Sequence, residues 1–174
     1  MATAKKSAKD YSVSYKKKTA TVDPYIPKAG RPASVCRSCK AVYMNKRWYA
    51  DDGILKNAAG RDDILYTTCP ACQKISERFP GGVLTLKGVM DMPNRDDLMN
   101  LIKNEEEKAR GLNPLERIMF VEENGSGNIV ISTTNEKLAQ RLGRAVKKAF
   151  HGEITYKWSH DNKLVRIDWT REAV

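Results

Sequence analysis

The stretch CPACQKI, residues 69–75, admits two readings that lead to different folds. A C-x2-C pair that follows a strand and opens a helix suits a thioredoxin-type dithiol, because the helix N-terminus lowers a thiol pKa. The same pair also serves as half of a four-thiolate metal site. A second pair, Cys36-Arg37-Ser38-Cys39, lies upstream, with residues 40–68 between the two. That interval exceeds the roughly 15–20 residues usual between such pairs, so it has to hold a longer hairpin or loop. The redox reading needs one pair only and leaves Cys36 and Cys39 without a role. Its helix would also be short, since Pro80 closes it.

The surroundings of the cysteines favour a metal. Residues 36–80 contain few apolar side chains, and DDGILKNAAGRDD (51–63) reads as loop. A segment that small needs a staple to fold. Cys36, Cys39, Cys69 and Cys72 would supply all four ligands of one tetrahedral ion, leaving no open position for water or substrate. The expectation is one structural Zn2+ in a zinc ribbon, with iron as the other metal that four thiolates admit.

Downstream the pattern changes. GGVLTLKG (81–88) is a strand bounded by glycines, and RDDLMNLIKNEEEKARG (95–111) is a helix with Leu98, Leu101, Ile102 and Ala109 on one stripe. Asn94 is placed to cap it, and Gly111 with Pro114 to stop it. RIMFVEE and NIVISTT are strands joined by a glycine-rich turn. A second helix follows to Phe150, with Thr133 and Glu136 at capping-box spacing and Leu138, Leu142, Ala145, Val146 and Ala149 as its apolar stripe. A hairpin ends the chain, with Ile154, Tyr156 and Trp158 alternating on one strand and Val165, Ile167 and Trp169 on the other. The order β-α-β-β-α-β plus one strand predicts an α+β, ferredoxin-like domain over residues 81–174, both helices on one face of an antiparallel sheet. The division is therefore a flexible basic tail (1–35), a zinc ribbon (36–80) and the α+β domain (81–174).

Among 174 residues, 31 are Lys or Arg and 21 are Asp or Glu, a formal charge of +10 that points to an anionic partner such as nucleic acid. Eight of the cations and only two acids fall in residues 1–35, and Lys16, Lys17 and Lys18 form a run suited to phosphates. The second long helix carries Lys137, Arg141, Arg144 and Lys148; the last three share a face at i, i+3 and i+7. In the ribbon, Lys40, Lys46 and Arg47 alternate with Tyr43, Trp48 and Tyr49, a mixture that fits single-stranded RNA if the rings are open, and a metal-module core if they are not. The strands VLTLKG and NIVISTT lack the aromatics with which an RNA-recognition motif stacks bases.

No stretch is apolar for the length of a membrane span, and the N-terminus has no secretory signal pattern. A cytoplasmic location is expected, where four cysteines serve metals or redox chemistry rather than structural disulfides. His151 and His160 have no metal-ligand spacing to a partner and read as a helix-end and a turn residue. No nucleophile elbow, phosphate loop or catalytic constellation is present, so neither an enzyme nor a small-molecule substrate is expected.

The strings CRSCKAVYMNKRW, CPACQKI, GGVLTLKG, LIKNEEE, RIMF, IVISTTNEKLAQRLGRAVKKAFHGE and VRIDW together resemble a family of small prokaryotic zinc-ribbon proteins. These are similar to part of the nonsense-mediated-decay-three protein, the large-ribosomal-subunit export adaptor. The resemblance covers residues 36–170. It implies a ribosome or rRNA partner and a zinc-ligand role for Cys36, Cys39, Cys69 and Cys72. The chain has one four-cysteine set and no visible nuclear export segment, which points towards a bacterial-style ribosome factor in assembly, quality control or dormancy. Two other readings stand beside it: a zinc-ribbon adaptor between proteins, for example in transcription, and a thiol oxidoreductase.

Overall fold

The computed structural model describes residues 23–26, 31–90, 92–159 and 163–171. Lys16, Lys17 and Lys18, and with them most of the expected tail, lie outside the described residues, as does His160. The protein is mixed α+β, with two sheets and four helices among the described residues.

The first sheet belongs to the cysteine-bearing half. Strands β1 (Ser34–Cys36), β2 (Val42–Met44), β3 (Arg47–Tyr49) and β4 (Leu65–Thr67) stand in the order β3-β2-β1-β4. β2 and β3 form a hairpin whose turn residues Asn45 and Lys46 both take positive φ. β4 runs parallel to β1, and a parallel pair needs a crossover. Helix α1 (Asp52–Ala59) supplies it, within the segment expected to be loop. The Asp51 side chain caps α1 by accepting from the Ile54 N–H, and Ala58 is buried against Val35 and Val42. The long interval between the cysteine pairs is thus filled by a hairpin and a helix. Helix α2 (Pro70–Ser76) then ends the module, with Cys69 as N-cap and Pro70 at its first position.

The second sheet is the larger core. β5 (Gly82–Lys87), β6 (Ile118–Glu123), β7 (Ile129–Thr133), β8 (Glu153–Trp158) and β9 (Val165–Thr170) stand in the order β6-β7-β5-β9-β8. Helices α3 (Arg95–Leu112) and α4 (Glu136–Phe150) pack on each other and on one core with Leu84, Leu86, Ile131, Ile167 and Trp169. The expected element order is present, but the sheet is mixed rather than antiparallel. β9 runs parallel to β5 and separates it from β8. Burial explains the placement. β9 buries Val165, Ile167 and Trp169 completely, whereas β8 leaves all but Ile154 exposed and so takes the edge.

Three local expectations change. α3 runs through Gly111 to Leu112, stops at Asn113-Pro114, and gains no side-chain cap from Asn94. The cap of α4 is Asn135, which accepts from the Leu138 N–H, and not Thr133, which lies in β7. Ala149 is exposed, while Ala139 and Gly143 join the buried stripe. Gly81 and Gly82 let α4 start directly over β5: a Cβ on Gly82 would collide with the Ala139 Cβ.

The fold also takes in residues from the expected tail. β1 starts at Ser34, and the stretch 23–26 docks on α2. There the Lys74 ammonium is buried between the Asp23 carboxylate (2.5 Å) and the Thr134 carbonyl of the larger domain (3.0 Å).

Candidate metal centre and the basic groove beside it

Each cysteine pair sits where a turn brings two sulfurs together. After β1 the chain reverses: the Lys40 N–H donates to the Cys36 carbonyl, the Cys36 N–H donates to the Ala41 carbonyl, and Lys40 takes φ 63°. This projects Cys36 and Cys39 to one side. The second pair uses a helix start, where the Cys69 Sγ accepts from the Cys72 N–H (3.4 Å). The parallel pairing of β1 and β4 then sets the two turns side by side, and the Cys69 N–H donates to the Cys36 Sγ (3.3 Å).

All four Sγ atoms lie within 4.8 Å of one another, and Cys39 and Cys69 approach to 3.6 Å. A tetrahedron with metal–sulfur arms of about 2.3 Å has edges of about 3.8 Å. A disulfide would need about 2.05 Å. The four sulfurs therefore fit one tetrahedral ion, and none is paired in a disulfide.

Charge in the cluster supports the same conclusion. The hydrogen bond from Cys69 holds the Cys39 thiol down to about 4, and the same shared proton pushes Cys69 up. Burial pushes the Cys72 thiol up. Without a cation the cluster favours a thiolate at Cys39 and opposes one at Cys69 and Cys72; a dication at the centre offsets that repulsion. A further positive group is already in place, since the Arg117 guanidinium donates to the Cys72 Sγ (3.3 Å). Arg117 comes from the larger domain, so the centre is tied to both halves of the molecule.

The cationic residues separate into groups. A cavity of about 450 Å³ lies where the ribbon meets the larger domain, lined among others by Arg31, Tyr43, Lys46, Arg47 and Lys137. Lys137 also borders a neighbouring depression formed with Glu116, Gln140, Arg141 and Arg144. Three of the expected cations, Lys46, Arg47 and Lys137, thus meet in one groove, and Arg141 and Arg144 extend it from Lys137. Lys40 and Lys148 line neither depression; the Lys40 Nζ donates to the Arg37 carbonyl. Arg141 is shared with α3, its Nε donating to the Glu105 carboxylate at 2.9 Å.

Two residues read differently once placed. Trp48, 7% exposed, is core of the ribbon, packed with Cys36, Ala41, Cys69 and Ala71 and tilted against Tyr43. It is not an open stacking platform. Arg31, which falls within the tail segment on sequence, belongs to the groove: its guanidinium lies 5.6 Å from the Trp48 ring centroid. Its Nη1 is buried and finds no hydrogen-bond partner among the described residues. A Trp 17 positions downstream gives no periodic signal from which this contact could be read.

No helix among the described residues is long and apolar enough to cross a membrane. Comparison with family models, curated proteins and solved structures found no match to this chain.

Proposed function

We propose that the protein is a non-enzymatic RNA-binding protein, stapled by one structural zinc, whose partner is rRNA or the ribosome. The observation that carries this reading is the groove at the junction of the two halves. Arg31, Lys46 and Arg47 line it together with Lys137, and Arg141 and Arg144 line the depression that Lys137 borders next to it. Several cations gathered in one groove attract a polyanion, and each phosphate oxygen they reach adds a charge-assisted bond. Zinc is the metal that suits a closed four-thiolate set. The α+β half is read as a ferredoxin-like variant with β9 inserted. The likeness to the ribosome-binding family agrees with the charge.

Sedimentation through a sucrose cushion with ribosomes, with and without RNase, tests the reading. Co-sedimentation should be lost with RNase and reduced by Arg31→Ala combined with Lys137→Ala. If about six phosphates are neutralised, affinity for RNA should fall roughly a thousandfold between 50 and 200 mM salt. An affinity that ignores salt would instead favour an adaptor between proteins.

A further inference from the structure

The stretch 112–117, from the end of α3 to the start of β6, touches both the cysteine cluster and the groove. Three contacts carry it across to the ribbon. The Leu112 carbonyl accepts from the Arg47 Nη2 at 2.6 Å. Leu115 packs against the cluster of Cys36, Trp48, Cys69 and Ala71. The Arg117 guanidinium donates to the Cys72 Sγ at 3.3 Å. At the same time Leu112, Asn113, Leu115 and Glu116 line the groove, with Lys137, from the side of the larger domain. One wall of the groove is therefore fastened at the metal centre.

The Arg117 side chain is not what holds this stretch to its own domain, because the backbone does so. The Arg117 N–H donates to the Thr134 Oγ1 (2.9 Å), and the Thr134 N–H donates to the Arg117 carbonyl (3.0 Å). Among the described residues no carboxylate pairs with the guanidinium, and the group that it meets is the Cys72 sulfur. Four thiolates around a dication leave a net negative charge, here in a site where Cys36 and Cys69 are wholly buried. A buried charge is costly unless it is paired and hydrogen-bonded. A guanidinium bonded to one of the sulfurs offsets that cost, and partners of this kind tune how tightly an ion is held.

We propose that Arg117 is a positioning residue for the metal, and that through it metal loading sets the wall of the groove. The proposal rests on the metal reading of the four cysteines and does not depend on what the groove binds. With the ion in place, the anionic cluster holds the guanidinium, and the stretch 112–117 is fixed between Thr134 on one side and the ribbon on the other. Loss of the ion takes the cluster apart and removes the group that Arg117 meets. Leu115 loses its packing surface in the same event, so the wall loosens while the sheet behind it stays.

Competition with a chromophoric chelator, on the full-length zinc-loaded protein, is the first measurement. Arg117→Met, which keeps the side chain's bulk and removes its charge, should weaken zinc binding about 10–100-fold. Arg117→Lys keeps the charge and should recover most of that loss. Arg61→Gln removes a cation from an exposed pair in the same half and should leave zinc binding unchanged. The cobalt-substituted protein gives a readout that a merely structural role would not move. Losing an N–H···S bond raises the donor strength of the sulfur, so Arg117→Met should shift the sulfur-to-cobalt charge-transfer band to lower energy. Hydrogen exchange reads the wall: chelation of the wild type should speed exchange over residues 113–117 while β5–β9 stay protected, and metal-loaded Arg117→Met should show the faster exchange without chelation. The proposal is overturned if Arg117→Met holds zinc as tightly as the wild type, or if Arg117→Lys loses as much as Arg117→Met. It is also overturned if residues 113–117 exchange alike with and without metal. A wild type that takes up no zinc would sink the metal reading and this coupling with it.

Discussion

The two halves of the molecule hold themselves together by different means. The larger domain buries a continuous apolar core, with Leu84, Leu86, Ile131, Leu142, Ile167 and Trp169 wholly inside. The ribbon has strands of only three residues and two small clusters, one of them built around the cysteines. Apolar burial stabilises by about 25 cal/mol per Å², and the ribbon has little such surface to hide. A metal ion held by four thiolates contributes roughly 10–16 kcal/mol in modules of this kind. That is comparable with the total stability of an ordinary domain, about 5–15 kcal/mol. One half should therefore depend on chemistry at one point, and the other on packing spread over many.

The largest expected effect tests that contrast directly. Cys69→Ser, or removal of the metal by a chelator, should unfold residues 34–76 and leave the β5–β9 sheet folded. Hydrogen exchange resolved by peptide is the measurement: protection should vanish in the first region and persist in the second. The purified protein should carry about one zinc per chain, and lowering the pH should release it, because protons compete for the thiolates. The reciprocal variant, Ile167→Ala, leaves a cavity under α4 and should cost about 2–5 kcal/mol in the larger domain while the metal stays bound. Loss of metal from Ile167→Ala would mean that the halves are one cooperative unit and that the contrast is false.

The same contrast explains what can be read from the sequence. In the helices of the larger domain the buried positions form periodic sets, so spacing alone marks Leu98, Ile102, Leu138 and Val146 as core, and all four are buried. The ribbon offers no such repetition. α1 is hidden because Gly53 and Asn57 look like loop residues, and its support comes from one cap at Asp51 and one buried Ala58. The four cysteines that could hold a metal are legible because their signal is spacing, and the fold brings all four together. The strand order is not legible. Both strands of the last hairpin alternate, and only burial shows that β9 takes the interior place and β8 the edge. Exposure is equally hidden in the residue pattern: Trp48, offered as a stacking ring, is core, while Tyr66, Phe79, Tyr156 and Trp158 are exposed.

A contact of intermediate size decides how firmly the halves are joined. Lys74 belongs to α2 of the ribbon, pairs with Asp23 and donates to the Thr134 carbonyl of the larger domain. Both charged side chains are largely buried, at 8% and 13% exposure. Removing one member of a buried pair strands the other, so Lys74→Met should destabilise by about 3 kcal/mol in urea unfolding. Replacing both, Lys74→Met with Asp23→Leu, should recover most of that loss, because a buried pair and an apolar pair of similar volume are often equivalent. A single variant that unfolds like the wild type would show that the 23–26 segment is not bound to α2 in solution.

The smallest expected effect lies at the α3–α4 contact and bears on the groove. Glu105 accepts from Lys108 Nζ at 2.8 Å and from Arg141 Nε at 2.9 Å. These two partners, Lys108 first and Arg141 second, hold its carboxyl below the ordinary carboxylate range. A depressed folded-state pKa gives stability that is fully present above the unfolded value, about 4.3, and is lost as the pH falls through the folded value. Both bases and the carboxylate meet solvent, so the contribution is small, about 0.2–1 kcal/mol. NMR titration of the Glu105 side chain reads it without interference from metal release. Arg141→Ala should move the midpoint up towards the ordinary value but not all the way, since Lys108 remains. An unmoved midpoint would show that Arg141 does not hold Glu105 in solution. Its guanidinium would then stand free in the groove, and the number of cations available to phosphate beside Lys137 and Arg144 would rise by one.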